Sequence, residues 1–161
     1  MRKTLASCLI LLAAAHLPTA IAAPGDISGR VSYVKDGDTF VIGDTTIRLH
    51  GVDAPEKTQT CWDSAKNVHD CGGTATEQLR GLVDGAVVNC VQAQKDLSYG
   101  RAVSTCTRDD GVDLGAWMVE HGFAVEETGY SHGKYAGQTR QARSAGAGLW
   151  SLKFLKPSEY R

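Results

Sequence analysis

The chain has 161 residues, 42% of them hydrophobic, with 17 basic and 18 acidic side chains, a length that suits one domain around a modest core. Residues 1–23 hold two bases and no acid, so the formal charge of −1 becomes −3 without them. Mild acidity excludes a general electrostatic clamp for nucleic acid, because such affinity comes from neutralising phosphates; nucleic-acid chemistry here needs a local site with a bound cation.

The N-terminus reads as a signal peptide over residues 1–23. Arg2 and Lys3 form a basic region, residues 5–17 are mostly apolar, and Ala20-Ile21-Ala22 supplies small residues for cleavage after Ala22 or Ala23. The remainder, 24–161, is then one exported domain, periplasmic or secreted, with no later segment apolar enough to hold it in a membrane. Leu5-Ala6-Ser7-Cys8 has the form of a lipoprotein box but precedes most of the apolar run, so lipidation is rejected.

Residues 27–34, 39–42 and 45–52 are rich in Val, Ile and Thr, and Asp36-Gly37 and Gly43-Asp44 punctuate them as turns; they predict three strands in a meander. The stretch 36–56 also holds five acids, of which Asp38, Asp53 and Glu56 stand out together with its one guanidinium, Arg48. Singly these are bland, since Asp-Gly makes hairpin turns and Asp and Pro end strands. Arg48 is sharper. It stands between Ile47 and Leu49 in a strand, where an unpaired charge is costly, so it needs a carboxylate or a ligand phosphate as partner. Asp38 opens the second strand and Asp53 closes the third, so antiparallel pairing brings them near each other. Two carboxylates, a backbone carbonyl and waters suit Ca²⁺. Glu56, held by Pro55, is placed to orient or deprotonate a water, and Arg101 in Ser98-Tyr99-Gly100-Arg101 adds a second fork for phosphate. The set reads as metal-assisted phosphodiester hydrolysis.

Residues 54–73 form a long polar loop that a bridge would have to tie down. Cys8 leaves with the signal, and Cys61, Cys71, Cys90 and Cys106 allow three pairings. The expected pairs are Cys61–Cys71 and Cys90–Cys106, the second because a hairpin turning at Ser98 sets positions 90 and 106 opposite each other. Zinc is rejected, since no Cys-x-x-Cys occurs. Thr74-Ala75-Thr76-Glu77 has capping-box form, and Leu79, Leu82, Val83 and Ala86 share one helical face. Residues 87–93 and 102–107 read as strands. Asp113 caps a helix to about His121, closed by Gly122, with Leu114, Trp117 and Met118 inward; residues 134–145 form a third helix ended by Gly146 and Gly148. The order predicts an α+β fold, a five-stranded Greek-key barrel of the OB type with three helices.

Gly129-Tyr130-Ser131-His132-Gly133 has the form of a nucleophile elbow, but no histidine and only one acid, Glu159, follow it, so a serine-hydrolase triad in that order is not available. It also fails as a phosphate loop, with Tyr135 where a metal-binding hydroxyl belongs. His50, His69, His121 and His132 make no ligand-like pair; Trp117 and Trp150 read as core, and Trp62 as a cover for the bridged loop.

Taken together, Asp-Gly-Asp-Thr at 36–39, Arg-Leu-x-Gly-Val-Asp-Ala-Pro-Glu at 48–56, Tyr-Gly-Arg at 99–101, the helix sequence 114–122 and Ala-Gly-x-Gly-Leu-Trp at its end resemble the staphylococcal nuclease (thermonuclease) family, from about Gly29 to Trp150. The cysteine pairs resemble those of exported bacterial members. The resemblance implies Ca²⁺ held by Asp38, Asp53 and the backbone carbonyl of Ala54, Glu56 as general base, Arg48 and Arg101 on the scissile phosphate, and Tyr99 on a terminal phosphate. It implies DNA and RNA as substrates, unpaired strands first, with 3′-phosphate products, and a monomer. Three departures accompany it. Ala54 replaces a threonine, where only the carbonyl is needed. One extra residue separates Asp96 from Tyr99. The base-stacking tyrosine is replaced near Thr128, with Tyr130 as its substitute. A domain of the same fold that only holds nucleic acid is the competing reading.

Overall fold

A computed structural model of the chain describes residues 25–93 and 98–161. The signal-peptide reading of 1–23 and the Asp96-Leu97 spacing lie outside the described residues. The strands are β1 (Asp26–Val34), β2 (Thr39–Ile42), β3 (Thr45–Leu49), β4 (Val52–Asp53), β5 (Thr60–Trp62), β6 (Val68–Asp70), β7 (Val87–Gln92), β8 (Ala102–Arg108) and β9 (Val125–Glu126). Five of them close a barrel in the order β1-β2-β3-β8-β7, the α+β OB-type architecture expected from the strand pattern. Neighbours run antiparallel except β3 and β8, whose parallel seam pairs Ile47 with Ala102 and Arg48 with Val103. β1 serves two partners, β7 along its first half and β2 along its second, with a register shift between Val31 and Tyr33 where it bends.

Apolar side chains at alternate strand positions fill the barrel, with Phe40, Ile47, Leu49 and Val88 buried. Helix α1 (Cys71–Val83) adds Ala75, Leu79, Leu82 and Val83, and α2 (Leu114–Glu120) adds Leu114 and Met118. Asp113 caps α2 as expected, accepting the Ala116 N–H at 2.9 Å. Trp117 is only half-buried, stacked on His121 with ring centres 4.0 Å apart.

The structure departs from the sequence reading at four places. The strand expected over 45–52 breaks at Gly51, which has φ of 73°, and β4 pairs instead with β9. A side chain at Gly51 would also meet Ser131, its Cβ 2.7 Å from the serine Cβ. The loop 54–73 contains the small hairpin β5–β6. Helix α1 starts at Cys71 and not at Thr74. Asp70 caps it, its carboxylate accepting the Gly73 N–H at 2.8 Å, while Thr74 donates to the Asp70 carbonyl at 2.6 Å and Glu77 pairs with Arg80. Ala86 lies beyond the helix end. The last long helix, α4 (Ala136–Ala145), is preceded by α3 (Thr128–Ser131) and followed by a 3-10 turn (Gly148–Ser151) and α5 (Pro157–Tyr160), pieces too short to show a period.

Both expected cysteine pairs stand at bonding distance. Cys90 and Cys106 face each other across β7 and β8 with Cα atoms 4.1 Å apart, and Cys61 and Cys71 span 5.9 Å. Cys61, Cys71 and Leu149 anchor a second apolar cluster that Val125, Leu152 and Phe154 join. The bridges close loops of 10 and 16 residues. Reduction should therefore lower the unfolding free energy by about 3 kcal/mol per bridge on the loop-entropy argument. Urea unfolding with and without dithiothreitol measures it, and a midpoint that does not move would count against both bridges.

Candidate active site

Arg48 lies on β3, paired to Thr39 on one side and Val103 on the other, and its side chain reaches the open end of the barrel. There it joins two buried acids. One guanidinium nitrogen donates to Asp38 Oδ1 at 2.5 Å and the other to Asp53 Oδ1 at 3.0 Å. Asp38 is 3% exposed and Asp53 1%. Asp38 further accepts the Thr39 hydroxyl at 2.8 Å and the Ala54 N–H at 3.1 Å. Burial pushes the Asp38 carboxyl up to about 7 against the pull of Arg48, and the Asp36 carboxylate adds to the rise. Burial works against the charge on Arg48 too, but Asp38 and Asp53 outweigh it and hold the guanidinium above its ordinary value.

Glu56 stands on the loop after β4, and that loop is closely fixed. The Glu56 N–H donates to Gln59 Oε1 at 3.1 Å, and the Gln59 N–H donates back to the Glu56 carbonyl at 2.7 Å. Gln59 is fully buried, and its carbonyl accepts the Gly72 N–H at 2.9 Å. A Cβ at Gly72 would overlap the Glu56 carbonyl, so only glycine lets the start of α1 press on this loop. The Cys61–Cys71 bridge closes the same contact from below.

Asp38, Arg48, Ala54 and Glu56 form one wall of a cavity of about 450 Å³, and Arg101, Tyr99 and Tyr130 line it as well. Every residue singled out from the sequence reaches this cavity except Asp53, which backs it through Arg48. Arg101 enters just before β8 and donates from Nε to the Ser98 carbonyl at 3.3 Å. Tyr99 is 95% exposed, in left-handed backbone with φ of 52°, and Arg101 lies 5.9 Å from its ring centre. Tyr130 sits half in water on α3. Ser131 is not a nucleophile: its hydroxyl donates to Glu126 at 2.6 Å and accepts the Gly133 N–H at 3.1 Å.

Sequence reasoning missed three participants. Gln59 and Gly72 gave no pattern that marks them. Arg161, which also lines the cavity, donates from Nη1 to Asp53 Oδ1 at 3.0 Å and to Glu56 Oε1 at 2.6 Å, and from Nη2 to Asp53 Oδ2 at 3.2 Å. Those hydrogen bonds, the one to Asp53 first, hold Arg161 above its ordinary value. Among the described residues no three His, Cys, Asp or Glu side chains converge as a metal cage. The donors at hand are still all oxygen, the type a hard divalent cation takes, and one guanidinium spans both acids. The residues fit such a cation with water and substrate completing its shell.

The staphylococcal nuclease homologue family model matches residues 46–152. An uncharacterized endonuclease of Escherichia coli O157:H7 is 35% identical over 131 residues, 78% of either chain. The succinoglycan biosynthesis protein ExoI of Rhizobium meliloti (strain 1021) is 38% identical over 125 residues, 77% of this chain and 64% of that protein. Endonuclease YhcR of Bacillus subtilis (strain 168) is 33% identical over 116 residues, 66% of this chain and 9% of its own length. The chain thus spans less than two thirds of the ExoI and YhcR proteins. The family match begins inside β3, so Asp38 lies ahead of the matched residues and is tied to the site by its bond to Arg48.

Removing Arg48 leaves two buried acids without their shared partner, and Arg48→Ala should cost about 3 kcal/mol of stability at pH 8. Asp38 sits above its unfolded value, so its protonated form is the one the fold favours, and stability falls as pH rises from about 4 to about 7. The cost of Arg48→Ala should accordingly shrink at pH 5. Urea unfolding of both proteins at the two pH values checks this; equal losses would contradict it.

Proposed function

Because the chain belongs to the staphylococcal nuclease family, we propose that it is an exported nuclease hydrolysing phosphodiester bonds of DNA and RNA with one Ca²⁺ ion. It acts as a monomer, favours unpaired strands and leaves 3′-phosphate ends. The observation that carries this reading is Arg48 joining Asp38 to Asp53, with Glu56 and Arg101 lining the same cavity. The two endonuclease-named relatives support it. Export is supported by the composition of residues 1–23 and by the two disulfides; no helix among the described residues is long and apolar enough to cross a membrane.

Asp38, Asp53 and the carbonyl of Ala54 hold the cation, which when bound supplies positive charge against the phosphate oxygens. Glu56 takes the proton of the attacking water. Arg48 and Arg101 receive the charge that gathers on the phosphorus oxygens, Arg101 from the β8 side where it also serves the leaving oxygen. The Tyr99 hydroxyl bonds a terminal phosphate. Tyr130 at the mouth offers a stacking face, sequence-tolerant because every base has one.

Labelled single- and double-stranded DNA and RNA, incubated with CaCl2 or with chelator, test the reading. Cleavage in CaCl2, its loss in chelator and 3′-phosphate ends are expected. Glu56→Gln and Arg101→Ala should each lower turnover by about 10²- to 10³-fold with unchanged melting curves. Wild-type rates in either variant would remove its assigned role. Nucleic acid bound but never cut would identify the non-catalytic module instead.

A further inference from the structure

Arg161 belongs to no motif, yet it makes more contacts with the acids of the site than Arg101 does. It forks both oxygens of Asp53, a residue 1% exposed, and reaches Glu56 with the same nitrogen. The fork is delivered by a strap and is not a chance surface bridge. Lys153 pairs with Trp62 across two backbone hydrogen bonds of 2.7 and 3.0 Å. The Leu155 carbonyl accepts the Gln59 side chain at 2.8 Å, Pro157 is buried, and the Tyr160 hydroxyl donates to the Thr58 carbonyl at 3.3 Å. Residues 153–161 are therefore laid along the 58–62 segment that follows Glu56, ending with a guanidinium at the carboxylates. The Arg161 side chain keeps 43% of its surface in water, so it can swing out without unpacking the core.

We infer that Arg161 is a resident counter-cation of the acidic site, displaced from Asp53 and Glu56 when a divalent metal ion loads. This rests on the proposed function, in which Asp53 ligates the ion and Glu56 handles water. A metal ion bound to Asp53 must take an oxygen that Arg161 now holds. Two cations sharing one buried carboxylate repel strongly where water is scarce. The same fork also occupies Glu56 Oε1 until it opens. One side chain thereby sets how much metal the site needs and keeps the unloaded acids neutralised.

Titration calorimetry of CaCl2 into the full chain and into Arg161→Ala and Arg161→Lys, with melting curves in chelator and in CaCl2, tests the inference. Arg161→Ala should bind Ca²⁺ at least tenfold more tightly than the wild type, melt lower in chelator, and gain more on adding CaCl2. Arg161→Lys, which keeps the charge and loses the fork, should fall between them. Equal or weaker Ca²⁺ binding by Arg161→Ala overturns the inference. If the wild type binds Ca²⁺ and Glu56→Gln loses cleavage while Arg161→Ala binds no more tightly, only this inference fails. If no protein of the series binds Ca²⁺, the metal reading of the site fails and takes this one with it.

Discussion

The structure at this end of the barrel depends on one buried arrangement, Arg48 held between Asp38 and Asp53. Buried charges are tolerable only when paired and hydrogen-bonded, and here each acid has further donors. The arrangement ties three pieces of chain together: the turn before β2, the strand β3 and the end of β4. What fixes the open end of the barrel is also what concentrates negative charge there. The candidate site is thus not grafted on a finished fold; its charges are part of the packing.

Glu56 is positioned by different means. Its loop has little apolar surface of its own, and order comes from Gln59, from the close approach of Gly72 and from the Cys61–Cys71 bridge. The barrel supplies the rigid wall and the bridged loop carries the side chain proposed to handle water. Chemistry on a loop supported by a stiff scaffold is a common division of labour. In this chain the loop is itself braced, from below by α1 and along its length by residues 153–161.

The barrel was largely legible because its strands are short Val-, Ile- and Thr-rich runs between Asp-Gly and Gly-Asp turns. The site was legible through Arg48, a charge inside an apolar strand that demanded a partner. The helix start was misplaced because Asp70 and Thr74 are both good caps, and only the packing of Gly72 on Glu56 decides for the earlier one. The hairpin β5–β6 has three-residue strands, too short for alternation to show. Arg161 left no trace at all. Its partners Glu56 and Asp53 lie 105 and 108 positions away, and no local pattern encodes such a contact.

The parallel seam between β3 and β8 has a consequence for when the two arginine arms meet. Arg48 lies on one side of that seam, and Arg101 directly precedes Ala102 on the other, so they come together only when the seam pairs. The meander β1–β2–β3 and the hairpin β7–β8 join neighbours in sequence, whereas the seam joins strands with a helix and a bridged loop between them. Such long-range pairings carry the larger chain-closure penalty and form late. A chain whose seam has not yet paired holds one arm without the other. The seam and the β1–β7 pairing are the two long-range closures of the ring, and the pincer reports that the first of these has formed.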